Sequence, residues 1–164
     1  MQKFIVEGGF SLSGSITPSG NKNEALPVLA ATLLAHEPVT IRNVPDIIDI
    51  AIMRDLLVSL GVIIQQIDTH TFRFDSSHLQ STVPDSAQAE RIRGSFLLAG
   101  PLLARSNSID LPAPGGDRIG LRPVQTHLLA LEKLGAEITL NEEGLYQMRS
   151  KSLTGTEIYL DEAS

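Results

Sequence analysis

Residues 111–123, reading LPAPGGDRIGLRP, collect side chains able to hold an anion and move a proton. Asp117 supplies a carboxyl group, and Arg118 and Arg122 supply guanidinium groups. Gly115 and Gly116 open backbone angles closed to other residues, while Pro112 and Pro114 stiffen the approach. Pro123 suits the first position of a helix that follows. A charged, glycine-rich loop beside a helix N-terminus is a place to seat a phosphate or a carboxylate. The same composition also suits a solvated surface crossover, so the loop gains meaning only from its companions.

Two further cations stand at helix starts. Lys22 lies in the run SGNKN, just ahead of Leu26, Leu29, Ala30, Leu33 and Leu34 at helical spacing. Asn21 or Asn23 can cap that helix, and Pro27 fits it only within the first turn. A lysine at the positive end of the helix dipole is unfavourable unless an anion joins it. A solvated surface lysine is the plain alternative; the sharper reading is a cation and unsatisfied N–H groups facing an anion together. Arg93 occupies the first turns of a second helix, residues 90–104, whose register is set by Ile92, Phe96, Ala99 and Leu103.

The elements that position these groups follow from periodicity and turn residues. Residues 4–6 and 11–17 alternate around Gly8-Gly9 and predict a strand pair. Residues 39–41 predict a strand, and residues 46–60 a helix with Ile50, Met53, Leu57 and Leu60 on one face and Gly61 as its cap. Residues 62–66 and 71–75 predict a hairpin, and residues 76–87 are polar and irregular. Residues 108–111 predict a strand ahead of the charged loop. A helix over 123–134, buried through Val124, Leu128 and Leu131, ends at Gly135. A second hairpin pairs residues 136–140 with 145–149.

This order repeats: helix, strand, loop, helix, glycine, hairpin. Leu33-Leu34-Ala35 corresponds to Leu102-Leu103-Ala104, and Leu57-x-x-Leu60-Gly61-Val62 to Leu131-x-x-Leu134-Gly135-Ala136. Phe72 and Phe74 correspond to Tyr146 and Met148. Leu12-Ser13-Gly14 likewise resembles Leu153-Thr154-Gly155. After Gly155 a strand over residues 157–160 leads to Ser164, the expected cap of a third helix, so the chain reads as a piece of a longer one.

Composition bounds the function. The 164 residues suffice for a core, and 42% hydrophobic with 20% charged residues is the balance of a globular protein. A formal charge of −6 disfavours bulk nucleic acid as partner. No apolar run is long enough to span a bilayer, and no signal core opens the chain, so a cytoplasmic protein is expected. There is no cysteine, and His36, His70, His78 and His127 have no ligand-like spacing, so neither a disulfide nor a metal or other cofactor is expected.

Three motifs now stand in order: Ser19-Gly20-Asn21-Lys22-Asn23-Glu24-Ala25-Leu26-Pro27, Arg91-Ile92-Arg93-Gly94-Ser95, and Pro114-Gly115-Gly116-Asp117 through Arg122-Pro123. Together they resemble the UDP-N-acetylglucosamine 1-carboxyvinyltransferases, a branch of the enolpyruvyl transferases, across the whole chain. The resemblance implies an α/β (α+β) fold: an inside-out α/β barrel of repeated βαβαββ units, helices inside and sheets outside. Each of the family's two lobes holds three units. By that scheme residues 1–20 are strands of the other lobe, 21–88 the first unit, 89–152 the second with active-site loop 111–123, and 153–164 the start of a third.

The implied activity moves an enolpyruvyl group from phosphoenolpyruvate to the 3-hydroxyl of UDP-N-acetylglucosamine, opening peptidoglycan synthesis and so serving the cell wall, cell shape and division. By position, Lys22 resembles the lysine on phosphoenolpyruvate, with Asn23 beside it; Arg93 and Arg122 resemble arginines lining the anionic substrates. Arg122, Pro123, Val124, Gln125 and Thr126 resemble the segment holding the UDP-sugar, and Ser164 a further contact. Asp117 stands where most members carry a cysteine on a mobile loop, so it takes the place of the proton donor, and the resemblance implies resistance to the alkylating antibiotic fosfomycin. Gln125 replaces a common aspartate. The partners implied are the two substrates and the second lobe; without that lobe the chain is expected to be inactive and to self-associate. A 3-phosphoshikimate 1-carboxyvinyltransferase and a non-catalytic lobe or binding module are the competing readings.

Overall fold

The computed structural model of the chain describes residues 3–115 and 124–160. The order of elements is α1 (Lys22–Ala31), β1 (Val39–Ile41), α2 (Ile48–Ser59), β2 (Ile63–Asp68), β3 (Thr71–Asp75), α3 (Ser86–Ala89), α4 (Ala99–Ser106), β4 (Ser108–Pro112), α5 (Gln125–Lys133), β5 (Glu137–Leu140) and β6 (Leu145–Arg149). Short 3-10 turns follow α1 at Thr32–Leu34 and precede α4 at Arg93–Leu98.

The repeat is real, and it extends to register. Both sheets are antiparallel and three-stranded, ordered β1-β3-β2 and β4-β6-β5. In the first, Val39 and Ile64 flank Phe74; in the second, Ile109 and Ile138 flank Met148. Phe74 and Met148 are 1% and 0% exposed, each the central plug between its sheet and its helices. One contiguous core runs through both copies.

The helix stops are repeated too. Gly61 has φ 99° and Gly135 has φ 104°, left-handed values that an L side chain resists. Val62 N–H then donates to the Leu57 carbonyl at 3.0 Å and Gly61 N–H to Val58 at 2.9 Å. In the second copy Ala136 donates to Leu131 at 3.0 Å and Gly135 to Glu132 at 2.9 Å. These paired bonds satisfy the last carbonyls of each helix. The chain next returns to the same spot in each copy: Gln80 N–H donates to Leu60 and Thr154 N–H to Leu134.

A clasp joins the copies. Arg105, on α4, sends Nη1 to the carbonyls of Leu33 at 2.6 Å and Ala35 at 2.9 Å, and Nη2 to Ser77 at 3.3 Å. The Leu33 and Ala35 carbonyls end the first copy's helix, where no backbone donor follows in the helical ladder, and Ser77 follows β3.

Five expectations are corrected. Residues 3–20 form no strand: Phe4 and Leu12 are 93% and 97% exposed, because a lone strand pair has no sheet face to bury against. Residues 157–160 form no strand either, for want of a partner. Pro27 sits at the sixth position of α1, in its second turn, so the Asn23 carbonyl loses its helical donor; burial of Leu26, Leu29 and Ala30 offsets that loss. The helix expected over 90–104 splits into a 3-10 turn and α4, with Pro101 placed where α4's first turn needs no N–H. The helix after the charged loop begins at Gln125, and of its expected buried face only Val124, just outside it, is fully covered.

Candidate active site

Helix starts from both copies converge on one cleft of about 260 Å³. Lys22 and Asn23 open α1, Asp49 lies in the first turn of α2, Arg93 opens the 3-10 turn, and Val124 precedes α5; all five line the cleft. Unsatisfied N–H groups and the positive ends of helix dipoles make such a convergence favourable for anions. Leu26, Phe96 and Leu97 supply its apolar wall, with His127 edge-on to Phe96 at 5.7 Å between ring centres.

Local sequence explains each placement. Asn21 takes an extended conformation (φ −85°, ψ 129°) and its side chain accepts from Asn23 N–H at 2.8 Å, so α1 starts at Lys22 and its ammonium reaches the cleft. Lys22 Nζ meets Asp49 Oδ2 at 2.8 Å. Asp49 stands at the favourable end of the α2 dipole, which answers the lysine's unfavourable position on α1. Arg93 is half-buried and engaged in an interaction of its own.

The charged loop is anchored beside this cleft. A methyl group at Gly115 would lie 1.4 Å from the Glu90 carbonyl oxygen, so only glycine lets the loop pack on the segment leading to Arg93. The loop's other end re-enters at Val124, on the cleft wall, 6% exposed. Asp117, Arg122 and Pro123 lie outside the described residues, as does Ser164.

Of the expected site residues, Lys22, Asn23, Arg93 and Val124 therefore come together. Gln125 is exposed and Thr126 half-buried, and neither lines the cleft. Asp49, Phe96 and His127 were not among the expected site residues. The repeat carried a signal for Asp49: it sets Ile50 against Val124 and hence the start of α2 against residues 121–124, already assigned to the site. Among the described residues no three His, Asp or Glu side chains are grouped to hold a metal ion, and no helix is long and apolar enough to cross a membrane.

Residues 6–164 match the family profile of EPSP synthase (3-phosphoshikimate 1-carboxyvinyltransferase). The chain belongs to this enolpyruvyl transferase family. Among curated members, it is 46% identical over 162 residues to the UDP-N-acetylglucosamine 1-carboxyvinyltransferase of Bradyrhizobium diazoefficiens, covering 99% of this chain and 37% of that protein. The protein of the same name from Treponema pallidum is 43% identical, covering 100% and 38%. The chain thus spans well under half the length of these relatives. Among solved structures, the enolpyruvyl transferase NikO from Streptomyces tendae superposes with a TM-score of 0.75 at 27% identity, over 90% of this chain and 32% of that one. EPSP synthase from Acinetobacter baumannii superposes at 0.69 with 21% identity, over 92% and 35%, a likeness of fold. The mixed α/β architecture is that of the enolpyruvyl transferases; the two sheets of this chain do not close on each other.

Proposed function

We propose that this enolpyruvyl transferase chain forms one wall of an active site that transfers the enolpyruvyl group of phosphoenolpyruvate to the 3-hydroxyl of UDP-N-acetylglucosamine. The carrying observation is the meeting of Lys22, Asn23, Arg93 and Val124 on one cleft among helix N-termini. The names of the relatives at 46% and 43% identity favour the UDP-sugar over shikimate 3-phosphate as acceptor.

The reaction suits a cationic cleft. The sugar hydroxyl oxygen bonds to C2 of phosphoenolpyruvate, losing its proton, while C3 gains one. The C2–O bond to phosphate then breaks as C3 gives up a proton and the double bond returns. Lys22 and Arg93 would hold the carboxylate and phosphate and offset charge as phosphate departs. Arg122, Pro123, Val124, Gln125 and Thr126 would hold the UDP-sugar, with Ser164 a further contact. Asp117 would donate the proton. A carboxyl group with an ordinary pKa of about 3.9 can do so only where closure over anionic substrates favours its neutral form.

The other lobe completes the cleft in this reading, and residues 1–20, of which 3–20 form no strand in this chain, belong to it. Their apolar side chains, Phe4, Ile5, Phe10 and Ile16 among them, are at least 74% exposed. The chain alone should therefore self-associate, and removing residues 1–19 should abolish concentration-dependent growth in light scattering. We place the activity in the cytoplasm, with phosphoenolpyruvate and the nucleotide sugar.

The test is phosphate release by the longer protein that spans the relatives' length, with phosphoenolpyruvate and either UDP-N-acetylglucosamine or shikimate 3-phosphate. Release with the UDP-sugar, lost in K22A, is the expected result. Release with shikimate 3-phosphate instead, or none with either, overturns the assignment.

A further inference from the structure

We infer that Asp49 is a positioning residue: it holds the Lys22 ammonium by one N–H and aims the others into the cleft, toward the substrate anion. The inference rests on the functional reading above and names a residue that reading does not use.

Three observations carry it. The pair is close, Nζ to Oδ2 at 2.8 Å, and both residues line the cleft rather than a remote surface. The two partners are unequally held. Asp49 sits in the first turn of α2, where the dipole favours a carboxylate, whereas Lys22 opens α1, where the dipole repels an ammonium. A lysine carries its charge on a flexible four-carbon stem, so without a partner it samples many positions. The carboxylate is thus the fixed point and the ammonium the group it aims. Finally, the pair is not needed to join the helices. α1 and α2 pack through apolar faces, with Leu29, Ala30, Met53 and Leu57 at 0–1% exposure. A pair with side chains 48% and 28% exposed adds little to stability.

An ammonium has three donors. Asp49 takes one and sets the direction of the others, which are left for the phosphate or carboxylate of the substrate. Asp49 is also a negative charge on the wall of an anion site. Replacing it with asparagine removes repulsion and removes aim at once, so binding and turnover should move in opposite directions.

Two measurements on D49N test this. In the 164-residue chain, carbon-13 relaxation of the Lys22 ε-methylene should show an ordered group that D49N makes mobile. In the longer enzyme, D49N should lower kcat about tenfold or more, while KM for phosphoenolpyruvate stays the same or falls, by up to about fivefold. D49E, which restores the charge, should recover part of kcat. Equal mobility of Lys22 in both chains overturns the inference, as does unchanged kcat, or a raised KM with kcat preserved. A longer wild-type protein that shows no enolpyruvyl transfer sinks the functional reading instead, and the relaxation result still decides whether Asp49 holds Lys22.

Discussion

Gly115 is where the charged loop meets the segment that leads to Arg93, and G115A tests that meeting. The added methyl would stand 1.4 Å from the Glu90 oxygen, 2.5 Å from its carbonyl carbon and 3.2 Å from its Cα. Ordinary contact begins near 3.4 Å, so loop and segment must part by about 2 Å. All three neighbours are backbone, and no side chain can swing aside. Overpacking of this kind costs about 1–3 kcal/mol. At about 2 kcal/mol, Tm falls by about 4–8 °C for a chain of this size. The positional effect is larger in the functional reading. Displacement of a catalytic loop by even ~1 Å can cost ~100-fold in rate, so kcat in the longer enzyme should fall by at least that factor. Amide chemical shifts of residues 89–93, read with thermal melting, are the assay. G94A is the internal control: its methyl first meets the tip of the Leu26 side chain, at 3.0 Å, and should stay within about 1 kcal/mol of wild type. A G115A chain that melts like wild type, with shifts at 89–93 unmoved, refutes the packing argument.

R105A removes the clasp on the Leu33, Ala35 and Ser77 carbonyls and should cost about 2–3 kcal/mol in urea denaturation, with R105K recovering little because an ammonium lacks the fork. The Ser77 hydroxyl and N–H both donate to Asp75, at 2.6 and 3.0 Å, and hold its carboxyl below the ordinary 3.8. Its stabilisation is present above that value and is lost as pH falls through the lower folded one, so D75N should flatten the acid limb of a pH–stability curve. Asp68, held down chiefly by the His70 N–H, contributes with the same sign. A carboxylate is a poor nucleophile toward an epoxide, so the longer protein should keep its activity in fosfomycin. D117C should gain one adduct by intact mass and lose activity.

Much of the fold was legible because it is written locally. Gly61 and Gly135 end their helices by one bonding pattern, and the alternation around Phe74 and Met148 sets both registers. What escaped depends on distant packing. Pro27 breaks a local rule that burial of Leu26 and Leu29 overrides. Residues 3–20 carry strand chemistry, yet a strand exists only with a neighbour to bond. Of the residues lining the cleft, Lys22 was legible because a cation at a helix start is conspicuous, and Arg93 because its motif resembles that of the family. Asp49 was missed because an acid in a first turn is ordinary; only its place in the repeat marks it out.

The two cations belong to different copies of the repeat, Lys22 to the first and Arg93 to the second. Their separation is therefore a property of the seam and not of either copy, and the seam is gauged by the contact of α1 with the Arg93–Leu98 turn and by the Arg105 clasp. In the proposed reading, substitution of Arg105, which does not line the cleft, would retune which anion the two charges can span.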